Sequence, residues 1–172
     1  MRGLLIIIIL LTLLGCKNDN SDQTVDQVDI PKFLGDWYVI SILPNPIEKN
    51  AVNSIESYEL NDKGGIDITY AFYKGSPDGK KKVMHPKAII YNQETNSEWR
   101  VQFLWPLKFP YLIIWLDEEY ETTVIGVPNK KYAWVMSRTP EIGSEKYGQI
   151  LARMTELGYE VDRLKLIPQK WE

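Results

Sequence analysis

The stretch that decides the fold is residues 35–43, which read Gly-Asp-Trp-Tyr-Val-Ile-Ser-Ile-Leu. Aromatic and β-branched side chains dominate it, and such side chains fit a pleated, half-buried strand better than a helix. Further along, residues 66–70 read Ile-Asp-Ile-Thr-Tyr, so apolar and polar side chains alternate. A period of two is typical of a sheet with one buried and one solvated face. The sequence therefore predicts an antiparallel β protein.

Outward from residues 35–43, the same pattern of strand and turn recurs along the chain. Short polar or Gly/Pro-containing segments, such as residues 61–65, separate the strands. The pattern predicts eight strands, at residues 35–43, 53–60, 66–70, 82–91, 98–104, 110–116, 122–127 and 131–137. A short final strand follows at residues 164–167.

One stretch, residues 144–157, has helical periodicity. Its apolar side chains fall on a single stripe, at Tyr147, Ile150, Leu151, Met154 and Leu157. We expect Ser144 to be the N-cap and Gly158 to be the first residue past the C-terminus. A single apolar stripe predicts that the helix lies on another element and is not buried on all sides.

Eight consecutive antiparallel strands and one late helix predict an all-β fold. The expected architecture is an eight-stranded antiparallel up-and-down β-barrel with one C-terminal α-helix packed outside. Closing the sheet removes the two edges that an open sheet would expose. A β-sandwich of the same strands stays open as an alternative.

The N-terminus has the features of a lipoprotein leader. Met1 and Arg2 precede an apolar run at residues 4–14, which is too short for the roughly 20 residues that span a bilayer. The run ends in Leu13-Leu14-Gly15-Cys16, which resembles the lipobox of bacterial lipoproteins, whose cysteine carries diacylglycerol. We therefore expect a signal peptide at residues 1–15, a lipid-anchored flexible tether at residues 16–29 that starts at Cys16, and a folded domain at residues 30–172.

Charge and cysteine content narrow the classes of function. The net charge is −3, so no broad attraction to nucleic acid is expected. Cys16 is the only cysteine, which excludes an internal disulfide bond. The one basic run, residues 80–82, has two interpretations. It either guards a strand edge or contacts anionic headgroups.

Three motifs in order carry a family resemblance. Gly35-Asp36-Trp37 resembles the Gly-x-Trp signature of lipocalins, residues 116–120 match the second motif of that family, and residues 134–140 resemble the third, which centres on Arg138. Behind a lipobox, these motifs make the chain similar to bacterial lipocalins of the outer-membrane lipoprotein type and to their apolipoprotein-D-like relatives. The resemblance implies that Trp37 plugs the closed end of the barrel and that Arg138 stacks on it. Gly35 would let the backbone pass close by.

The resemblance implies a ligand as well as a fold. Bacterial lipocalins are associated with fatty acids and lysophospholipids, so we expect a membrane-anchored protein that stores or transports such a ligand in the cell envelope. The alternative is an envelope interaction or structural lipoprotein with a filled barrel. Strand parity and the aromatic residues that bracket residues 106–110 predict a cavity wall made of Trp105, Tyr111, Ile113, Trp115, Trp134 and Met136.

Enzymatic interpretations find little support in the residues. Lipocalin-like synthases need a thiol in the cavity, whereas the sole cysteine here is committed to the anchor. Haem-binding relatives ligate iron through histidine, and the chain has His85 alone. We find no catalytic set and no metal-ligand spacing, and we expect no cofactor. An isomerase-like activity on a bound lipid and a homodimer stay open. Lys17 after the cysteine favours the outer membrane.

Overall fold

The structure is a computed structural model and describes residues 20–171. These residues form ten strands and two α-helices. Their bounds are α1 Ile30–Phe33, β1 Gly35–Ile42, β2 Ala51–Leu60, β3 Ile66–Lys74, β4 Lys80–Met84, β5 Lys87–Ile90, β6 Glu98–Leu104, β7 Leu107–Leu116, β8 Thr122–Gly126, β9 Ala133–Ser137, α2 Ser144–Glu156 and β10 Lys165–Leu166. A 3-10 turn at Val161–Arg163 precedes β10.

The strands close into a barrel. Neighbouring strands pair antiparallel from β1 to β9 in chain order, apart from β4, and β1 then pairs with β9. Tyr38 lies opposite Ser137 and Ile42 lies opposite Trp134, so the first and last strands meet along their length. The predicted antiparallel barrel is confirmed, and the sandwich alternative is excluded.

The barrel has two distinct ends. The turns at residues 61–65, 91–97 and 117–121 form the closed end, where the N-terminal segment also lies. The loops at residues 43–50, 75–79, 105–106 and 127–132 form the open end.

The predicted strand at residues 82–91 is two strands in the structure. His85 and Pro86 interrupt it, because a proline cannot donate to a sheet ladder. The two halves differ in their partners. β5 pairs with both β3 and β6, whereas within the described residues β4 pairs with β3 alone. The wall therefore has an unpaired edge at β4 near the open end, and the lysines at positions 80–82 occupy that edge.

Two hydrophobic clusters stabilise the fold. The first fills the barrel, and the second lies between the outer wall and α2, which buries Ile150 and Met154 completely. The prediction of one apolar helix stripe packed outside the barrel is confirmed. The N-cap is Gly143, one residue before the predicted Ser144, and Gly158 has the expected left-handed backbone with φ +82°. No helix among residues 20–171 is long and apolar enough to cross a membrane.

The N-terminal segment differs from its prediction. Val28 is completely buried, the backbone N–H of Val25 donates to the carbonyl of Ile113 at 2.9 Å, and that of Val28 donates to the carbonyl of Thr95 at 2.8 Å. The prediction of a flexible tether is therefore wrong for residues 20–29, because two valines in a polar stretch cover the closed end. The predicted signal peptide and Cys16 lie outside the described residues.

Candidate functional site

The closed end is sealed by Trp37 and Arg138. The indole of Trp37 is completely buried, and its Nε1–H donates to the carbonyl of Phe33 at 2.9 Å. The guanidinium carbon of Arg138 lies 3.7 Å from the centroid of the indole ring. Gly35 lies beside this contact with φ +94°, a backbone conformation that favours glycine over residues with a Cβ. The predicted stacking of Arg138 on Trp37 is confirmed.

Arg138 also ties three segments together through its donors. Its guanidinium donates to the backbone carbonyls of Lys32, Phe33, Leu34 and Asp36 at 2.8 to 3.1 Å, and to that of Tyr120 at 3.3 Å. A planar group with five donors suits such a fan of acceptors. Arg138 therefore has a structural role, far from the open end.

Replacing Arg138 with alanine should lower the free energy of unfolding by about 2 kcal/mol, because several carbonyls and one cation–π contact lose their partner. Thermal unfolding followed by circular dichroism should show a melting temperature lower by roughly 5 °C. Arg163→Ala is the matched control, since that side chain is exposed and its ion pair with the exposed Glu160 lies on the surface. Equal melting temperatures for the two variants would contradict the sealing role of Arg138.

Aromatic rings fill the half of the barrel next to this seal. Trp37, Trp99, Tyr58 and Phe33 are the largest completely buried side chains of this end. Phe33 contacts Trp37, Tyr58 and Trp99 with ring centroids 5.2 to 5.4 Å apart, and Trp99 stacks on Tyr111 at 5.9 Å. Pairs at these distances pack favourably. The half of the barrel next to the closed end is therefore packed core, and space for a ligand remains only toward the open end.

A buried carboxyl group lies above the aromatic layer. Glu56 of β2 accepts hydrogen bonds from the hydroxyls of Tyr58 and Tyr111. Burial raises the pKa of Glu56 to about 7, and the nearby charge of Glu48 raises it further, against the lowering effect of the two tyrosine hydrogen bonds. Burial, together with the charge of Glu56, also raises the pKa of both tyrosines well above the usual range, so they remain donors.

A second buried carboxylate comes from the loop at residues 43–50. Glu48 accepts from Nε1 of Trp134 at 3.0 Å and from the hydroxyl of Tyr70. Its own loop supplies a further donor, the side-chain amide of Asn45. Glu48 therefore fastens this loop over one side of the open end and brings Trp134 and Tyr70 together.

Beside this loop is a cavity of about 680 Å³, which we call the mouth cavity. Its apolar floor includes Phe72 and Met84, which belong to or pack on the barrel core. Three lysines from three different elements, Lys49, Lys74 and Lys82, stand in its lining. The remaining lining residues are Pro46, Ile47, Asn50 and Val83. An apolar floor under a cationic rim suits a molecule with a hydrocarbon chain and an anionic head.

The six residues predicted for the cavity wall fall into two groups. Tyr111, Ile113 and Met136 are buried in the barrel, and Trp134 packs against them. Trp105 is 81% exposed at the tip between β6 and β7, so its prediction is wrong. None of the six lines the mouth cavity.

The prediction for Trp115 is wrong as well. A register shift between β7 and β8 falls between Ile113 and Trp115, which puts Trp115 outside the barrel against the α2 cluster. Its Nε1–H donates to the hydroxyl of Thr122 at 3.1 Å. A β-bulge reverses the alternation of faces along a strand, and strand parity alone gives no sign of one.

Sequence reasoning missed the polar groups of the site. Glu56 had one signal, since it shares its strand parity with the inward-facing Tyr58. Glu48 and the three cavity lysines had none, because they come together only when the strands close. Within residues 20–171, no cluster of three His, Cys, Asp or Glu could hold a metal ion. His85 is close to the hydroxyl of Thr69, at 3.3 Å from Nδ1.

Comparisons with known proteins agree with this architecture. A family model described as "Lipocalin-like domain" matches residues 28–169. The chain is 31% identical over 145 residues to the outer membrane lipoprotein Blc of Citrobacter freundii, which covers 84% of this chain and 81% of that protein. It is 27% identical over 172 residues to the outer membrane lipoprotein Blc of Vibrio cholerae, over 99% and 100% of the two chains. Insecticyanin from the tobacco hornworm Manduca sexta has the same fold, with a TM-score of 0.67, 15% identity and coverage of 87% and 84%.

Proposed function

This chain belongs to the lipocalin family, and from that membership we propose that it is a lipid-anchored lipoprotein of the outer membrane that binds a single-chain amphiphile. The ligand is a fatty acid or a lysophospholipid, which the protein stores or transports in the cell envelope. Cys16 carries the lipid anchor. The relatives named above as outer membrane lipoproteins support the location, and the lipobox at residues 13–16 supports the anchor.

The mouth cavity is the observation that carries the proposal. Phe72 and Met84 offer apolar surface to a hydrocarbon chain, and each methylene that leaves water contributes roughly 0.8 kcal/mol. Lys49, Lys74 and Lys82 offer charge-assisted hydrogen bonds to a carboxylate or phosphate. The cavity therefore matches both ends of such a ligand.

The interior of the barrel supports the same orientation. Among residues 20–171, the buried charged side chains are acidic, and no lysine or arginine is buried. Two of those carboxyl groups, Glu48 and Glu56, lie inside the barrel. An anionic head would be repelled there, so the head group stays at the lysine rim and the chain points inward.

The test is ligand affinity in rim variants of residues 20–172. Lys49→Ala, Lys74→Ala and Lys82→Ala should each weaken oleate binding, measured by quenching of tryptophan emission, by roughly threefold to fivefold, because each removes one partner of the anionic head. Lys63→Ala at the closed end is the matched control and should bind as the parent does. Binding of oleyl alcohol, which has the same chain but no charge, should be unchanged in all variants.

A filled barrel without a small ligand is the second candidate, and it is favoured by the packed aromatic layer around Trp99 and by the loop that Glu48 fastens over the open end. The same titration separates the two. Ligand binding is supported if oleate quenches the emission of Lys63→Ala as it does that of the parent and if this quenching is lost in the rim variants. A parent protein that is indifferent to oleate and to oleyl alcohol supports the structural or interaction role.

A further inference from the structure

The hairpin between β6 and β7 exposes an unusual amount of apolar surface. We define the β6–β7 tip as residues 103–109. Its five large apolar side chains have exposures between 47% at Phe109 and 81% at Trp105, and the others are Phe103, Leu104 and Leu107. A cluster of large apolar side chains on the surface of a protein is typical of a binding site for a membrane or another molecule.

The tip is continuous with the barrel interior. Phe109 is paired with Val101, whose side chain is in the barrel core, so Phe109 continues the inner face of the wall toward the open end. Phe103 and Phe109 are neighbours, with ring centroids 6.4 Å apart. The tip therefore forms an apolar lip on the open end of the barrel.

The open and closed ends of the barrel also differ in charge. The chain as a whole has a net charge of −3, yet the open end is strongly basic. The four open-end loops and their adjoining strand ends contain two acidic residues, Asp78 and the buried Glu48, and the lysines Lys49, Lys74, Lys80, Lys81, Lys82, Lys108, Lys130 and Lys131. The segment after α2 packs beside residues 127–132 and adds two acidic and two basic residues, Glu160, Asp162, Arg163 and Lys165. The turns of the closed end, in contrast, are rich in acidic side chains, above all at residues 117–121.

We propose that the open end docks on an anionic lipid bilayer, with the β6–β7 tip inserted at the boundary between headgroups and acyl chains. Tryptophan, phenylalanine and leucine side chains prefer that boundary to water. Lysines around them gain from the negative surface potential of anionic lipids. A second copy of the chain is the poorer partner, because two open ends that meet would bring like charges together.

The arrangement of the rim gives the docking a use. Lys80, Lys81 and Lys82 lie on the unpaired edge of β4. The β6–β7 tip lies across the gap beside this edge, because β5 pairs with β6 only from Lys87 toward the closed end. Docking brings the unpaired edge and the mouth cavity to the bilayer surface. A single-chain lipid can then move from the membrane to the cavity without crossing water. Docking does not depend on the proposed ligand binding, because a barrel with or without a ligand would bind the bilayer equally.

The test is co-sedimentation of residues 20–172, which contain the complete barrel and both hydrophobic clusters, with lipid vesicles. Vesicles of phosphatidylcholine alone are compared with equimolar phosphatidylcholine and phosphatidylglycerol. The parent should bind the anionic vesicles and lose binding in high salt. Trp105→Ser should bind them about tenfold more weakly, and the combined Lys80→Glu, Lys81→Glu and Lys108→Glu variant roughly 100-fold more weakly.

Matched changes at the closed end are the controls. Leu60→Ser removes an apolar side chain that is 58% exposed, and Lys63→Glu reverses a lysine charge, both away from the open end. Both should bind vesicles as the parent does. Quenching by lipids brominated on the acyl chain should be strong for the parent and weaker for Trp105→Phe, which keeps the apolar character of the tip.

Three results would overturn the proposal. The first is equal binding to neutral and anionic vesicles, and the second is an equal loss in the closed-end controls. The third is no vesicle binding together with a dimer that Trp105→Ser dissociates in light scattering, which would assign the tip to a second copy. Oleate binding should persist in Trp105→Ser, so failure of docking and failure of the proposed ligand site are distinguishable.

Discussion

Replacing Trp37 with alanine is expected to lower the free energy of unfolding by about 4 kcal/mol, the typical cost of truncating a large buried aromatic side chain. The indole is completely buried, with Phe33 packed 5.2 Å away and the guanidinium of Arg138 over its face. Its removal leaves a cavity that these neighbours cannot fill, and the carbonyl of Phe33 loses one of its two donors and keeps only Arg138. Urea denaturation should report the loss, and the melting temperature should fall by on the order of 10 °C.

Trp171→Ala is the control for this variant. That ring is partly exposed and contacts only Tyr38 among the aromatic residues described, at 5.6 Å, so its truncation should cost less than about 1 kcal/mol. In a double-mutant cycle, Trp37→Ala and Arg138→Ala should show a coupling of about 1 kcal/mol, because the two side chains are in direct contact. Independent effects, or similar losses for the two tryptophans, would contradict a seal at the closed end.

The stability of the barrel should depend on the protonation of Glu56. The pKa of this carboxyl is about 7 in the folded protein, against an ordinary value of 4.5 in an unfolded chain. A raised pKa means that folding favours the protonated form. Its stabilising contribution is therefore complete below pH 4.5 and is lost as the pH rises through 7. Across this window the free energy of unfolding should fall by about 3 kcal/mol.

Glu56→Gln should remove this slope and make the protein more stable than the parent at pH 8, because the amide oxygen can still accept from the tyrosine hydroxyls without a buried charge. Glu59→Gln, on the exposed end of the same strand, should leave the slope unchanged. Urea titrations at several pH values provide the measurement. Asp117 does not confuse the result, because its pKa is lowered and its effect falls at more acidic pH. A parent profile that is flat between pH 4.5 and 7 would refute the role of Glu56.

The sequence predicted the barrel because two-residue alternation and turn residues are local signals. The predictions that are wrong concern places where a non-local contact or a single proline overrides the local alternation of side chains. Pro86 splits one predicted strand, a bulge near Trp115 moves that side chain outside, and Val25 and Val28 dock a polar segment whose composition is typical of a tether. None of these three features can be recognised from the average composition of the segment in which it occurs.

The site was predictable only where it depends on a motif. Trp37 and Arg138 could be paired because both stand in ordered signatures, although they are far apart in the chain. The mouth cavity could not be predicted, since Lys49, Lys74 and Lys82 resemble every other surface lysine until three elements converge. The aromatic residues that bracket residues 106–110 predict a cavity wall, but their exposure depends on how far the hairpin extends beyond the wall of the barrel.

The docking of the N-terminal segment against the barrel limits how far the protein can reach. Asn20 donates to Glu98 on β6 and Val25 donates to Ile113 on β7, so the first residues that the structure describes lie beside these two strands at the closed end. Extended chain covers about 3.5 Å per residue, so a lipid on Cys16, as proposed above, would lie within about 14 Å of Asn20. The same two strands run on to the β6–β7 tip at the opposite end. Anchor and tip would then touch one bilayer together, and the barrel would lie along its own membrane without reaching a second one.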